Sequence, residues 1–442
     1  MPQATIHFPP GFLWGTATAS HQVEGGNLNN NWSQWESIPG NILNNAKSGL
    51  ACDWWGGRWK EDLDRATETG QNSHRLSIEW SRIQPSPDRW DENALDYYRQ
   101  IVRGMRERGI TPMVTLHHFT DPLWLTEKGG WLDEDTPQRF NAFVRKTTEA
   151  LKEYVNLWCT INEPNTYTWG GYLGGGFPPG ENNFNSAAKV LYQMVLGHAF
   201  AYHTIHSLQP SAAVGIANNF RELRPARAAF PPDQWVSNAI SHIFNDSFIL
   251  AAQTGKLNLV LKNFSIPEAA GTQDFIGVNY YTSENVFFDL RFPGTLFSRR
   301  VFPAGATISE NRFLANVPTG LLNILKGLRR FNLPLYITEN GIEDSRDILR
   351  PCYMIEHIFQ TWRAVNFNWP VKGYFHWSLV DNFEWERGWT QRFGLWGLDT
   401  QTQARIRRPS VDLYAAICKE NGISSEMVSR YAPQIFSKYF PG

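Results

Sequence analysis

Cysteine is scarce in this 442-residue chain, which has only Cys52, Cys159, Cys352 and Cys418. Scattered so widely, they suggest no disulfide framework and read as the reduced, buried thiols of a cytoplasmic protein. An excess of charge is missing too. The 41 Lys and Arg nearly cancel the 42 Asp and Glu, leaving a formal net charge of −1. That balance argues against nucleic acid or an anionic membrane surface as a partner. No run of about 18 apolar residues occurs, which excludes a spanning helix. Met1 to Gly11 has neither the basic start nor the apolar stretch of a secretory signal. Glycine is dense only at Gly174-Gly175-Gly176, with no Lys-Ser/Thr behind it, so a phosphate-cradling loop has no support. His203 and His206 are helix-spaced but lack a third ligand, and no metal or cofactor is expected. A Gly-x-Ser-x-Gly nucleophile elbow is also missing.

What is abundant is aromatic. The 19 Trp, 15 Tyr and 28 Phe make up 14% of the chain, enough both for a large core and for stacking against flat ligand faces. With 42% hydrophobic and 19% charged residues, disorder is excluded. No linker or repeat divides residues 1–442, which read as one domain. Short apolar or β-branched runs centre on Trp14, Leu76, Val114, Trp158, Ile216, Ile276, Ile337 and Phe375. Each gap between them has room for a crossover helix. Leu95, Tyr98, Val102 and Met105 mark one helix face, and Phe140, Phe143, Thr147, Leu151 and Tyr154 another. The second is expected to start at Thr136 as N-cap, with Pro137 in its first turn. Further helices are expected over Ser186 to Leu208 and Gly320 to Phe331. Eight βα alternations favour an α/β fold of the (β/α)8 TIM-barrel type over an open doubly wound sheet. In a barrel the chemistry belongs at the C-terminal strand ends.

Two carboxylates meet that condition. Glu163 follows the fourth run in Thr160-Ile161-Asn162-Glu163-Pro164, and Glu339 follows the seventh in Thr338-Glu339-Asn340-Gly341. A lone Glu at a loop start is ordinarily a surface residue. Two that a barrel mouth would bring together suit glycoside hydrolysis, which needs one carboxyl to protonate the leaving oxygen and another to attack the anomeric carbon. Their pKa values must then be driven apart. Arg75, at the end of the second run, is placed to hold one of them ionised.

With these residues the chain resembles glycoside hydrolase family 1, the β-glucosidase family, over essentially its full length. The matching segments are Gly11 to Thr18, Gln22 to Gly25, Arg75 to Arg82, Thr115 to His118, Thr160 to Pro164, Gly277 to Tyr281, Thr338 to Gly341 and Trp377 to Trp385. The resemblance implies a retaining β-glycosidase, foremost a β-glucosidase, with Glu163 as acid/base and Glu339 as nucleophile. It implies sugar contacts from Gln22, His118, Asn162, Tyr281, Glu384 and Trp385, with Trp377 as the stacking floor. Arg75, Asn279 and Tyr281 would orient the nucleophile. The implied substrates are small: β-glucosides, cello-oligosaccharides and aryl glycosides. Galactose or fucose preference, transfer to an acceptor other than water, and homo-oligomerisation stay open.

Three departures from the family pattern bear on the leaving group and the sugar. Asn165 stands where a Trp commonly follows Glu-Pro, so aglycone stacking is expected to pass to Trp169, Trp124 or Phe177. Phe119 replaces a Trp after the sugar-binding His. The Ser and Lys-Tyr pattern of the phospho-sugar branch is missing after Leu379, which favours a neutral sugar. Of the two adjacent histidines, His118 aligns with the family's sugar ligand, leaving His117 to packing or to support behind the ligand.

Overall fold

A computed structural model describes residues 4–440. Eight strands run parallel and close on themselves: β1 (Leu13–Ala17), β2 (Ser73–Ser77), β3 (Thr111–His117), β4 (Leu157–Asn162), β5 (Ala213–Pro225), β6 (Phe275–Phe288), β7 (Leu335–Asn340) and β8 (Val371–His376). Each contains one of the eight apolar centres read from the sequence. Closure is made where Tyr374 of β8 pairs with Trp14 of β1. The fold is the expected TIM barrel. Its strands are buried on both faces, which is why most read as apolar runs rather than as alternation, although β2, Ser73-His74-Arg75-Leu76-Ser77, is buried throughout and mostly polar.

The crossovers carry eight main helices: α1 (Trp59–Glu68), α2 (Glu92–Glu107), α3 (Thr136–Leu151), α4 (Phe184–Leu208), α5 (Ser247–Thr254), α6 (Pro318–Leu328), α7 (Arg350–Asn366) and α8 (Pro409–Glu420). The Asp91 side chain caps α2 by accepting from the Ala94 N–H, and the predicted face of Leu95, Tyr98, Val102 and Met105 is buried. The start of α3 differs from expectation. Asp135 holds the N-cap position, and the Thr136 hydroxyl donates to the Gly130 carbonyl at 2.6 Å. Thr136 therefore ties the helix to the preceding loop instead of capping it. The α4 start lies two residues before Ser186, where Asn183 accepts from the Asn185 and Ser186 N–H groups. The predicted 320–331 segment resolves into α6 and a short 3₁₀ turn, Arg329–Phe331.

Buried indoles find partners at the barrel wall. Trp14 Nε1 donates to Asn421 Oδ1 at 2.8 Å and Trp158 Nε1 to Gln209 Oε1 at 3.0 Å. Two strands overrun the barrel: β5 and β6 continue past its rim as a pair, and Ser298–Val301 adds antiparallel to the outer half of β6. The four cysteines are unpaired. Among the described residues no helix is long and apolar enough to cross a membrane.

The loop after β8 is fixed by one buried ion pair. Arg408 donates to both oxygens of Asp381 at 2.8 Å and to the Gly394 carbonyl at 2.6 Å. Gly394 returns its N–H to Asp381 Oδ1 at 2.9 Å. A Cβ at Gly394 would lie 2.2 Å from the Asp381 nitrogen, so this approach requires glycine. The Asp381 side chain is only 2% exposed. Replacing Arg408 by Met would leave Asp381 only Arg392, at 3.7 Å, and unfolding in urea should show a loss of about 3 kcal/mol, the low end for a broken buried pair. A loss below about 1 kcal/mol, typical of exposed pairs, would mean that the loop is held by something else.

Candidate functional site

Chemistry gathers at the C-terminal strand ends, around a cavity of about 390 Å³. Arg75 on β2 is fully buried. Its guanidinium donates to Glu339 Oε1 at 2.5 Å, to Asn162 Oδ1 at 2.6 Å and to Thr115 Oγ1 at 3.0 Å. Tyr281 donates its hydroxyl to the other Glu339 oxygen at 2.6 Å. Its neighbour Tyr280 points away, bonding Ser283 and the Val317 carbonyl. The alternation of β6 thus sends one tyrosine in and one out, as the sequence suggested.

Glu163 sits one residue beyond β4 with φ of 43°, in the left-handed region, ahead of the turn begun by Pro164. Asn279 donates to its Oε1 at 2.8 Å and Asn219 to its Oε2 at 3.1 Å. Asn279 also donates to Asn162 Oδ1 at 3.1 Å and accepts from Thr338 at 2.7 Å. One lattice of amides and a guanidinium therefore spans both carboxyl groups. Strand register breaks where these residues sit: between Cys159 and Asn162 on β4, and between Ile337 and Glu339 on β7. Such irregularities re-aim side chains at a barrel rim.

The lattice also fixes a tautomer. Arg75 can only donate, so Asn162 turns its oxygen to Arg75 and its NH₂ to His118 Nε2, at 3.0 Å. Burial, with Arg75 and His117 nearby, holds His118 well below its ordinary pKa, so the ring is neutral. With Nε2 accepting, Nδ1 carries the hydrogen, and Nδ1 is buried with no protein partner. His117 instead meets Asp121 at 3.0 Å and packs edge-on to Trp131 and Tyr167.

Burial pushes the Glu339 carboxyl up to about 7. The Arg75 cation opposes that rise, the Glu163 charge adds to it, and the bonds from Tyr281 and Arg75 lower it again. Glu384 is raised well above its ordinary value by burial and by the charges of Glu386, Glu339 and Glu163.

Among the other predicted residues, Trp377, Glu384 and Trp385 line the cavity with His118, Asn162 and Tyr281. Trp385, at φ 47°, packs against His118 at 5.8 Å, Phe119 at 5.0 Å and Trp32 at 4.7 Å. Gln22 stands behind the wall: its Nε2 reaches the Phe383 carbonyl at 2.9 Å and Glu384 at 3.3 Å, and its Oε1 has no protein partner. Trp169 and Phe177 line the outer cavity, whereas Trp124 does not. The Trp124 indole is buried and donates to the Gln84 carbonyl at 2.9 Å, so the expectation that it lies near a leaving group is corrected. Asn165 is a crosslink. Its amide donates to the carbonyls of Asn219 at 2.7 Å and Phe244 at 2.8 Å, which an indole could not do. Asn219, Arg221 and Arg300 are wall residues that the sequence did not disclose. His203 and His206 bond the Glu268 carbonyl and Asp274, and among the described residues no acid, His and Cys group is placed to hold a metal ion.

The sequence profile described as Glycosyl hydrolase family 1 matches residues 4–423. Beta-glucosidase A of Thermotoga maritima is 34% identical over 94% of this chain and 98% of its own length. A beta-galactosidase of Pyrococcus woesei is 30% identical over 95% of this chain and 98% of its own length. The solved beta-glycosidase from Pyrococcus horikoshii superimposes with a TM-score of 0.91 at 37% identity, covering 97% of this chain and 98% of that one. With barrel, motifs and whole-length matches in agreement, the chain belongs to glycosyl hydrolase family 1 and is a glycoside hydrolase.

Proposed function

We propose that this glycosidase is a retaining β-glucosidase, one catalytic domain over residues 1–442 that releases terminal β-D-glucosyl groups from small glucosides, cello-oligosaccharides and aryl glycosides. One observation carries the reading: Glu163 and Glu339, far apart in sequence, line the same cavity and are tied together through Arg75, Asn162 and Asn279. Glucose is favoured over galactose because the β-glucosidase relative is 34% identical and the β-galactosidase relative 30%. The unpaired cysteines support a cytoplasmic setting.

In the first step Glu339 attacks the anomeric carbon while Glu163 gives its proton to the leaving oxygen, and the aglycone departs from a glycosyl–Glu339 ester. In the second, Glu163 as carboxylate takes a proton from water. That water attacks the anomeric carbon and frees Glu339. The amide bonds from Asn279 and Asn219 hold the Glu163 carboxyl in one orientation for both steps. The neutral His118 offers Nδ1–H to a sugar hydroxyl, and Trp377 offers an indole to the apolar face of the ring.

Glu339 must be ionised to attack, so its contribution to kcat/KM is lost as pH falls through about 7. Tyr281→Phe removes a bond that lowers this pKa, and the acidic limb of the pH profile should move to higher pH. Glu163→Gln removes a charge that raises it. With an aryl glucoside whose leaving group needs no acid, the limb should move to lower pH. Shifts in the reverse directions would overturn the electrostatic account.

Glu339→Gly should lower kcat by at least about 10⁴-fold, and added azide should restore turnover and yield the α-glucosyl azide. Glu163→Gly with azide should yield the β-anomer, because Glu339 still forms the ester. The same azide anomer from both variants would reject the two roles. Aryl β-glucoside should exceed aryl β-galactoside in kcat/KM, and the opposite order would overturn the glucose preference.

A further inference from the structure

Outward from the carboxylates, the cavity wall changes sign. Asn219 and Arg221 lie two residues apart on β5 and both line the cavity, so Arg221 stands about 6–7 Å further along the strand than the group holding Glu163. Arg300 reaches the same region from the strand Ser298–Val301. Both guanidiniums face one carboxylate: Arg221 donates to Glu284 at 3.2 Å and Arg300 at 3.4 Å. The Glu284 side chain is 11% exposed, against 29% for Arg221 and 27% for Arg300. Burial raises the Glu284 carboxyl, but the two cations more than offset this and leave it below its ordinary value. Two cations thus share one anion, with a net charge of +1.

Most of the donor capacity is unspent. Each guanidinium has five N–H groups, and each makes one hydrogen bond within the described residues. Beneath them lies an aromatic floor: Arg300 is 5.3 Å from the Trp169 ring, Arg221 is 6.0 Å from Phe244, and those two rings meet edge-on at 6.1 Å. The third arginine of the wall, Arg387, faces its own carboxylate, Glu386, at 3.2 Å. Arg221 and Arg300 are different because they share theirs.

We propose that this patch is a leaving-group subsite for aromatic aglycones bearing a carboxylate, the ring lying in the cavity lined by Trp169, Phe177 and Phe244 and the carboxylate taking the free N–H donors of Arg221 and Arg300. The planar fork of a guanidinium matches a carboxylate in geometry and charge. The inference rests on the β-glucosidase reading above and adds the aglycone class to it.

The test compares kcat/KM for the β-glucosides of 4-hydroxybenzoate and of its neutral amide, which differ only at the group concerned. Their intrinsic reactivities cancel when the ratio is compared between enzymes. Arg300→Gln should lower the carboxylate-to-amide ratio by about tenfold, the scale of one charge-assisted hydrogen bond. Glu284→Gln removes the competing anion and should raise it. In the unaltered enzyme the ratio should fall as NaCl is added, a measurement that needs no variant to fold. A ratio unmoved by Arg300→Gln and by salt, or lowered by Glu284→Gln, would overturn the subsite. Failure of the folded wild-type enzyme to cleave either glucoside would instead overturn the β-glucosidase reading.

Discussion

Arg75 sets the conditions for everything around it. Its guanidinium is fully buried and reaches Glu339, Asn162 and Thr115 from one fixed position. Glu339 and Glu384 are both raised by the negative charges around them as well as by burial. At an effective dielectric of about 20, unit charges about 4 Å apart interact by about 4 kcal/mol. One contact cation is therefore of a scale to offset part of that rise, which still leaves Glu339 at about 7. Because a guanidinium keeps its proton at any physiological pH, that bias does not titrate away with the groups it governs.

Orientation comes from amides rather than from charges. Asn162 is held by the donor-only Arg75, Asn279 is held between Glu163 and Thr338, and Asn219 donates to the second Glu163 oxygen. Asn165 extends the arrangement outward by tying the turn after Glu163 to the β5 backbone. Backbone strain is concentrated at the same place. Phe119, Glu163 and Trp385 all line the cavity and all have positive φ, a conformation that costs about 1–3 kcal/mol at a non-glycine residue. The surrounding bonds must over-determine such positions, and for Glu163 they visibly do.

The barrel was legible because its strands are apolar on both faces, so each of the eight centres, from Trp14 to Phe375, falls within an observed strand. The two carboxylates were legible because Glu163 and Glu339 end such strands. What stayed hidden follows from the same physics. Asn219 and Arg221 sit in the polar outer part of β5, Asn218-Asn219-Phe220-Arg221-Glu222, and Arg300 sits in the separate strand Ser298–Val301, where no apolar run marks them. Trp124 and Trp169 are equivalent as letters. Only packing separates the one that donates to Gln84 in the interior from the one that lines the cavity. Thr136 fitted a capping pattern, yet its hydroxyl found a nearer acceptor in Gly130.

A site of this kind works against the fold that holds it. Glu339 has its carboxyl raised from 4.5 to about 7, so the folded protein binds that proton more tightly than the unfolded chain. Its contribution to stability is fully present below the ordinary value and is lost as pH rises through about 7. The ionised carboxylate that the proposed mechanism requires is thus the form the fold tolerates least. Glu24 and Glu343, also raised to about 7 chiefly by burial, add to the same slope. Elsewhere in the fold, Arg408 pairs with Asp381, and Arg405 pairs at 2.8 Å with Asp62 of α1. Removing only one member of such a pair is far more costly than never having built it. Breaking either pair would therefore add to the loss of stability that the raised carboxyls already bring as pH rises toward 7.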